Sequence, residues 1–172
     1  MFNIRKATLV DIPSIAKVHV DSWRTTYRGI VSSDFIENLT YEWSEKHQLI
    51  VFSNKDMFIY VVEDKEGNIV GFASGGPERN NNSLFKGELH AIYLLTEYQG
   101  LGLGRKLVTS VANQLRVNGF NSLLVLVLEN NTSAREFYKS LGGKEVGKGG
   151  LELKGRMYKD IAYGWTETTP LI

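Results

Sequence analysis

A glycine-rich turn followed by two cations carries the clearest chemical signal in the sequence. It reads Gln99-Gly100-Leu101-Gly102-Leu103-Gly104-Arg105-Lys106 and lies between a strand-like and a helix-like segment. Glycines let a backbone approach a ligand, and the free N–H groups and dipole of a helix start attract an anion. Arg105 and Lys106 occupy a first turn that ordinarily favours acidic residues, so an external anion would balance their charge. The pattern favours a phosphate site, with a flexible glycine turn in solvent as the structural alternative.

The spacing of the glycines narrows the choice of phosphate ligand. No Gly-Lys-Ser/Thr follows a first glycine at the spacing of a P-loop. Gly100 and Gly102 match the start of a dinucleotide fingerprint, but Arg105 stands where that fingerprint needs a small residue. Glu129 could serve as a ribose-binding acid after the next strand, so a dinucleotide-dependent oxidoreductase stays as an alternative. The chain is short for a dinucleotide fold with an added substrate domain.

The elements that position this turn follow from hydrophobic periodicity. The predicted strands are Phe2–Ala7, Met57–Glu63, Ile69–Ser74, Glu88–Leu94, Leu123–Leu128, Gly143–Val146 and Leu151–Trp165. The predicted helices run from a Thr8–Asp11 capping box to Tyr27, over Ser33–Leu39 and Tyr41–Phe52, from Gly100 to about Asn118, and over about Thr132–Leu141. Gly119 is the predicted left-handed cap of the helix that follows the glycine turn.

This order of elements predicts a mixed α/β fold. We expect a central mixed sheet of about six or seven strands with helices on both faces. Leu123–Leu128 is apolar on both sides, which is typical of a central strand in a parallel pair. Together with Glu88–Leu94 and the helix between them it forms a parallel βαβ unit around the glycine turn. The length of 172 residues fits one domain over residues 1–172.

Composition excludes several classes of function. The chain has no cysteine, so thiolate catalysis and zinc–thiolate sites are excluded. Its net charge is +1 and its basic residues are scattered, which disfavours nucleic-acid binding. The N-terminus shows no signal-peptide h-region and no apolar run reaches the length of a membrane span. His19 and His47 have no partner at metal-ligand spacing. We therefore predict a cytoplasmic protein without a metal and without a membrane or nucleic-acid partner.

Three motifs in the right order resemble the GNAT superfamily of acyl-CoA-dependent N-acyltransferases. Gln99-x-x-Gly102-x-Gly104 after the strand Glu88–Leu94 is similar to the superfamily's acyl-CoA signature, Q/R-x-x-G-x-G/A. Asn131-x-x-Ala134-x-x-x-Tyr138-x-x-x-Gly142 is similar to its segment after the fifth strand, and Ile4-Arg5-x-Ala7-Thr8-x-x-Asp11 resembles common starts. The resemblance covers nearly the whole chain. Thr96 replaces a frequent proline, and Gly143 replaces the usual aromatic residue after Gly142.

The resemblance implies a site for acetyl-CoA, used as a co-substrate. It implies that the pyrophosphate rests on the backbone of Gly100, Leu101, Gly102, Leu103, Gly104 and Arg105, next to Gln99. It also implies that the pantetheine arm pairs with the backbone of Ile92 and Leu94 like an added strand. Asn131 matches an asparagine that contacts CoA, although Asn is also among the best helix N-caps. The N–H of Leu94 is the candidate donor to the tetrahedral oxyanion.

Catalytic candidates follow from the same resemblance and from the residue types. Tyr138 lies on an apolar helical stripe and could be a core residue, but the motif implies that its hydroxyl protonates the leaving thiolate. Glu88 is the predicted base, with His90 as the second candidate and a structural role open for each. Strict alternation would place Glu88, His90, Ile92 and Leu94 on one face of their strand. Trp23 and Tyr27 are candidates for the wall of the acceptor pocket.

The expected reaction is direct transfer of an acetyl group to a primary amine of a small molecule or peptide. Such an amine is almost wholly protonated at neutral pH, so the site must deprotonate it. A CoA-binding sensor without turnover is a further alternative. Dimerisation of two identical chains through the last strands is left open by the sequence.

Overall fold

A computed structural model describes residues 1–172 and contains seven strands and five α-helices. The strands are β1 (Asn3–Lys6), β2 (Phe58–Glu63), β3 (Ile69–Pro77), β4 (Gly87–Leu94), β5 (Leu123–Leu128), β6 (Lys144–Leu153) and β7 (Arg156–Trp165). The helices are α1 (Ile12–Thr26), α2 (Ser33–Glu37), α3 (Tyr41–Ser53), α4 (Leu103–Val117) and α5 (Thr132–Ser140). No helix combines the length and the apolar character that crossing a bilayer requires.

The strands form one mixed sheet in the order β1-β2-β3-β4-β5-β7-β6. β4 and β5 are parallel, and every other neighbouring pair is antiparallel. α4 is the crossover between the two parallel strands, as the apolar character of Leu123–Leu128 indicated. The predicted fold class, a mixed α/β sheet with a parallel βαβ unit, is confirmed.

Helices cover both faces of this sheet. Ile15 of α1 packs in one apolar cluster with Val61, whereas Leu107 of α4 packs in a second cluster with Val62. Val61 and Val62 are neighbours on β2, and successive strand residues point to opposite faces. The two clusters therefore lie on opposite sides of the sheet, with α1 on one side and α4 on the other.

The start of α1 is tied to the first strand by ion pairs. The Arg5 guanidinium donates to both carboxylate oxygens of Asp11 at 2.7 and 3.0 Å and also pairs with Glu63. The backbone N–H of Thr8 donates to the same Asp11 carboxylate at 2.7 Å, as the predicted capping box requires. Hydrogen bonding from Arg5 lowers the pKa of Asp11 to about 2, so α1 is fixed against β1 by a charged anchor at neutral pH.

The last two strands differ from the sequence prediction. The expected strands Gly143–Val146 and Leu151–Trp165 are replaced by a long hairpin that turns at Lys154 and Gly155, both with positive φ (48° and 75°). β6 continues through Gly147, Gly149 and Gly150, because pairing with β7 supplies the order that these glycines lack locally.

Candidate active site

A large cleft opens where the parallel pair diverges. Gly87–Leu89 of β4 pair with Leu123–Val125 of β5, and the two strands are not paired beyond these residues. β4 nevertheless continues to Leu94 and β5 to Leu128. The cleft has a volume of about 1040 Å³ and is lined by residues of both strands, of the glycine turn and of α5. That volume lies at the upper end of the range for ligand pockets, so the cleft is large enough for an extended cofactor arm.

The backbone on the β4 side of the cleft points into the gap. The Leu95 N–H donates to the Val70 carbonyl on β3 at 3.0 Å. Because backbone groups alternate along an antiparallel edge, the N–H and C=O groups of Ile92 and Leu94 face away from β3, towards the cleft. Buried backbone groups need partners, so this edge is suited to pair with a ligand amide.

The glycine turn presents a row of unpaired donors. The backbone N–H groups of residues 100–105 make no hydrogen bond to the rest of the backbone, and the first such bond in α4 comes from Lys106 to Gly102. Gly100 and Gly102 adopt φ values of 75° and 78°, which glycine alone adopts readily. Gly102 is the N-cap of α4, so the helix dipole adds to the attraction for an anion.

Two residues of this motif have structural partners. A Cβ on Gly104 would lie 3.2 Å from the ring of Phe137, so this glycine is needed for the packing of α5 against α4. Gly104 also lines the cleft, so close approach to a ligand, the reason that the motif suggested for its small size, stays a prediction. The side chain of Gln99 donates to the Leu94 carbonyl at 3.0 Å, which holds the turn against the end of β4.

A β-bulge in β4 changes which residues share a face. The pairing with β3 shifts after Ser74, which pairs with Ala91 while Gly75 pairs with Leu89, so His90 is the extra residue. Leu89 packs in the α4 cluster and Ala91 in the α1 cluster, although strict alternation would give them the same face. The predicted shared face of Glu88, His90, Ile92 and Leu94 is therefore wrong. His90 lies on the α1 side, where its ring would be 3.2 Å from a Cβ on Gly76.

His90 has one nitrogen bound and one free. Its Nε2 lies 3.1 Å from the carbonyl oxygen of Pro77, and because a carbonyl only accepts, Nε2 carries the proton. Nδ1 is buried and has no partner in the protein. Burial, helped by the charge of Arg79, lowers the pKa of His90, so the ring is neutral at neutral pH and Nδ1 holds a lone pair. The ring also lines the cleft.

Glu88 is placed differently from the sequence prediction. Its side chain is fully buried, and it is absent from the lining of the cleft. Its carboxylate accepts hydrogen bonds from the backbone N–H and from Nε of Arg79, each at 3.1 Å. Both contacts hold the carboxylate on Arg79, away from the cleft. The geometry therefore favours His90 over Glu88 as the group that takes a proton in the cleft.

Tyr138 is buried beside the cleft with a free hydroxyl. Its ring packs against Tyr163 and Trp165, with centroid distances of 6.1 and 6.5 Å, and it also lines the cleft. Burial and the neighbouring phenol of Tyr27 raise the pKa of Tyr138, and no hydrogen bond from the protein opposes them. The core role suggested by spacing and the site role implied by the motif therefore coexist.

Aromatic and amide groups form the remaining wall. Asn131 caps α5 by accepting from the Ala134 N–H at 3.2 Å, and it also lines the cleft. Tyr27 lines the cleft, whereas Trp23 stands behind it at a ring distance of 4.3 Å. The indole N–H of Trp23 donates to the hydroxyl of Tyr93 at 3.0 Å. Trp23 therefore holds the wall in place and does not itself form it.

The lining also contains residues that the sequence analysis did not single out, among them Arg28, Tyr93 and Asn130. Strand alternation placed Tyr93 on the face opposite His90, whereas the bulge puts both residues on the α1 side. Asn130 directly precedes the Asn131 of the motif, and Arg28 directly follows Tyr27 of the helical stripe. Adjacency to a singled-out residue at the end of an element could have identified both of them.

The other two histidines lie away from the cleft. His19 is buried with its Nδ1 2.7 Å from the Ser44 hydroxyl, and burial lowers the pKa of His19 to about 4. His47 stacks on Trp43 at a ring distance of 5.6 Å. No group of three or more His, Asp or Glu side chains could hold a metal ion.

A helix start with free N–H groups beside a splayed parallel pair is the arrangement that the resemblance to acyl-CoA-dependent N-acyltransferases implied. The chain matches, over residues 19–142, the sequence model of a family described as "Acetyltransferase (GNAT) family". It is 40% identical over 172 residues to "Uncharacterized N-acetyltransferase YuaI" of Bacillus subtilis (strain 168). The alignment covers 99% of this chain and 96% of that protein.

Solved structures show the same fold. The PaiA N-acetyltransferase of Thermoplasma acidophilum, in complex with coenzyme A, superposes with a TM-score of 0.71 at 23% identity, covering 94% of this chain and 98% of that one. Ribosomal-protein-alanine N-acetyltransferase from Brucella melitensis gives a TM-score of 0.72 at 25% identity, with coverage of 95% and 98%. The chain belongs to the GNAT acetyltransferase family, and it is an N-acetyltransferase that uses acyl-CoA as its co-substrate.

Proposed function

We propose that this enzyme transfers an acetyl group from acetyl-CoA directly to a primary amine of a small molecule, within the cleft between β4 and β5. The observation that carries this proposal is the row of unpaired N–H groups at residues 100–105, next to the edge of Ile92 and Leu94 that is not paired with β5. Six such donors at a helix start suit a diphosphate, and the adjoining edge suits the amides of a pantetheine arm.

The acetyl thioester then lies between the strands, beside Tyr138. Since the pKa of Tyr138 is raised, its hydroxyl stays protonated and can donate to the sulfur as negative charge develops there. The Leu94 N–H faces the same gap and is our candidate for stabilising the tetrahedral oxyanion. Cysteine is absent from the chain, so an acyl-enzyme through sulfur is unavailable and the amine attacks the thioester itself.

We assign the proton acceptor to His90 and not to Glu88. Nδ1 of His90 has a free lone pair, and it takes the ammonium proton of the acceptor directly or over one water. Glu88 and Arg79 act through their charges: the carboxylate raises the pKa of His90 and the guanidinium lowers it. Their ion pair therefore adjusts the pH range over which His90 can work.

Relatives indicate the kinds of amine that this family uses. One relative, 27% identical over 145 residues, is named spermidine N(1)-acetyltransferase of Thermoplasma acidophilum. Another, 29% identical over 143 residues, is named phosphinothricin N-acetyltransferase of Streptomyces viridochromogenes. We take small primary amines as the acceptor class on this basis.

Two measurements test the proposal. Acetyl-CoA at a hundredfold its dissociation constant should stabilise the protein by about 2.7 kcal/mol, whereas NAD should not. Free CoA should then appear in a thiol-release assay when suitable amines are added. Stabilisation by NAD alone would support the dinucleotide alternative, and binding without thiol release from any amine would support the sensor alternative.

A second proposal concerns assembly. β6 forms one edge of the sheet, it is exposed along nearly its whole length, and it carries the exposed side chains of Val146 and Leu151. Long exposed edges are prone to pair with another chain. We propose a homodimer through β6, for which sedimentation of a Val146→Lys variant as a monomer is the expected result.

A further inference from the structure

We propose that the acceptor amine also carries a carboxylate, and that Arg28 binds this carboxylate at the rim of the cleft. The inference rests on the proposed function, because it assigns an acceptor class to the same site. It comes from the charges of the cleft, from the free guanidinium of Arg28 and from the rigid turn that holds this residue.

The lining of the cleft carries positive charge and no carboxylate. Among its 27 residues the permanently charged side chains are Arg28 and Arg105, and none is Asp, Glu or Lys. Arg105 belongs to the first turn of α4, where the diphosphate is expected to bind. Arg28 is therefore the one permanent charge left in the lining for the acceptor.

The Arg28 side chain has no hydrogen-bond or ion-pair partner within the protein, unlike those of three other arginines. Arg24 donates to the Leu39 carbonyl, and Arg79 and Arg135 pair with carboxylates. No ion pair includes Arg28. A guanidinium presents a planar fork of donors that fits a carboxylate in a bidentate way, so this side chain is ready to bind an anionic group.

The turn that carries Arg28 is held against the cleft wall. The N–H groups of Ile30 and Val31 both donate to the Tyr27 carbonyl, at 3.0 and 2.9 Å. Gly29 adopts a φ of 80°, which lets the chain reverse directly after α1. Arg28 consequently leaves the turn next to Tyr27, whose ring lines the cleft together with His90 and Tyr138.

The same charges disfavour a polyamine. A second ammonium group would approach Arg28 without any carboxylate in the cleft to offset the repulsion. A small adjoining cavity, which shares Ile30 and Asn130 with the cleft, contains the carboxylate of Glu129 together with the ammonium of Lys159. A positive cleft also lowers the pKa of a bound ammonium, which helps His90 to take its proton.

The test compares acceptor amines that carry a carboxylate, a neutral carboxamide or further ammonium groups. L-α-Amino acids, their carboxamides and spermidine are offered to the wild type and to Arg28→Gln and Arg28→Lys, and thiol release is followed. Hydrogen bonds to charged groups imply that Arg28→Gln raises KM for the amino acid about 10- to 100-fold with kcat changed little. The carboxamide should show no such change, and Arg28→Lys should restore part of the loss.

Arg116→Gln is the matched control, because it removes the same charge from the last turn of α4, the end opposite the glycine turn. A wild type that prefers spermidine or the carboxamide to the amino acid would overturn the inference. So would an acid-to-amide selectivity that Arg28→Gln leaves unchanged. Calorimetry measures binding of the same acceptors to the CoA-loaded protein, so it tests the role of Arg28 even if no acetyl transfer is seen. A failure of the inference about Arg28 is thereby distinguished from a failure of the proposed catalysis.

Discussion

Replacing Tyr138 by Phe removes one oxygen atom from the cleft and leaves the packing of the ring intact. The ring stays against Tyr163 and Trp165, and the hydroxyl that is lost makes no hydrogen bond within the protein. We therefore expect the free energy of unfolding to change by less than about 0.5 kcal/mol. The affinity for acetyl-CoA should also be nearly unchanged, because the diphosphate and pantetheine contacts lie elsewhere.

Turnover should fall much more than binding. A hydrogen bond to a charged group contributes about 1.5–3 kcal/mol, which corresponds to a loss of roughly 10- to 150-fold in kcat. The raised pKa of Tyr138 sets the kind of help it gives. Its phenolate would be more basic than a thiolate whose thiol has a pKa near 8.5, so the hydroxyl stabilises the leaving sulfur by donating a hydrogen bond without losing its proton.

The assay is single-turnover release of CoA thiol with acetyl-CoA and a saturating amine, alongside a direct measurement of acetyl-CoA affinity. Tyr60→Phe is the control, since it removes a hydroxyl that bonds to Gln114 at 3.2 Å and does not line the cleft. An unchanged rate in Tyr138→Phe would refute the role of the hydroxyl. A rate loss matched by an equal loss of acetyl-CoA affinity would show that Tyr138 binds the cofactor instead.

Three further results are expected. Gly102→Ala should weaken acetyl-CoA binding about 10-fold, because a side chain at this positive φ costs about 1–2 kcal/mol and displaces the row of N–H groups. Gly119→Ala is the control: it introduces the same backbone strain at the other end of α4, so it should lower the stability of the protein without changing its affinity for acetyl-CoA. His90→Gln should abolish the rise of the rate with pH, whereas Glu88→Gln should shift that rise to lower pH, because the carboxylate raises the pKa of His90. If only Glu88→Gln abolished the rise, Glu88 would be the base. The pKa of His19 is about 4 when folded and near 6.5 when unfolded, so the free energy of unfolding should fall by about 3 kcal/mol from pH 6.5 to 4, and His19→Gln should lose that slope in urea titrations.

The parts of the fold that the sequence predicts are those with strong local signals. The apolar stripe that includes Leu107, Val111 and Leu115 defines α4, and Gly119 ends it with the expected positive φ. The run Leu123–Leu128 predicts a strand that is covered on both sides. The glycine turn belongs to the same group, because the types and spacing of its residues predict free N–H groups without any knowledge of distant contacts.

Other parts depend on partners that are distant in sequence or position. β6 has three glycines and little apolar periodicity, so its length is set by pairing with β7 across the Lys154-Gly155 turn. The contact between Arg79 and Glu88 joins a loop to a strand, and nothing in the spacing of the two residues predicts it. The packing of Phe137 against Gly104 is of the same kind, and the spacing of the motif gives no sign of it.

The bulge at His90 has the largest consequence for the proposed chemistry. In a strand of strict alternation His90 would share a face with Ile92 and Leu94, which pack towards α4, the side on which Tyr138 also packs. The extra residue instead places His90 on the α1 side, over Gly76, while the edge beyond it still faces β5. A thioester lying in the gap between the strands is then reached by the amine from the α1 side, where His90 lies.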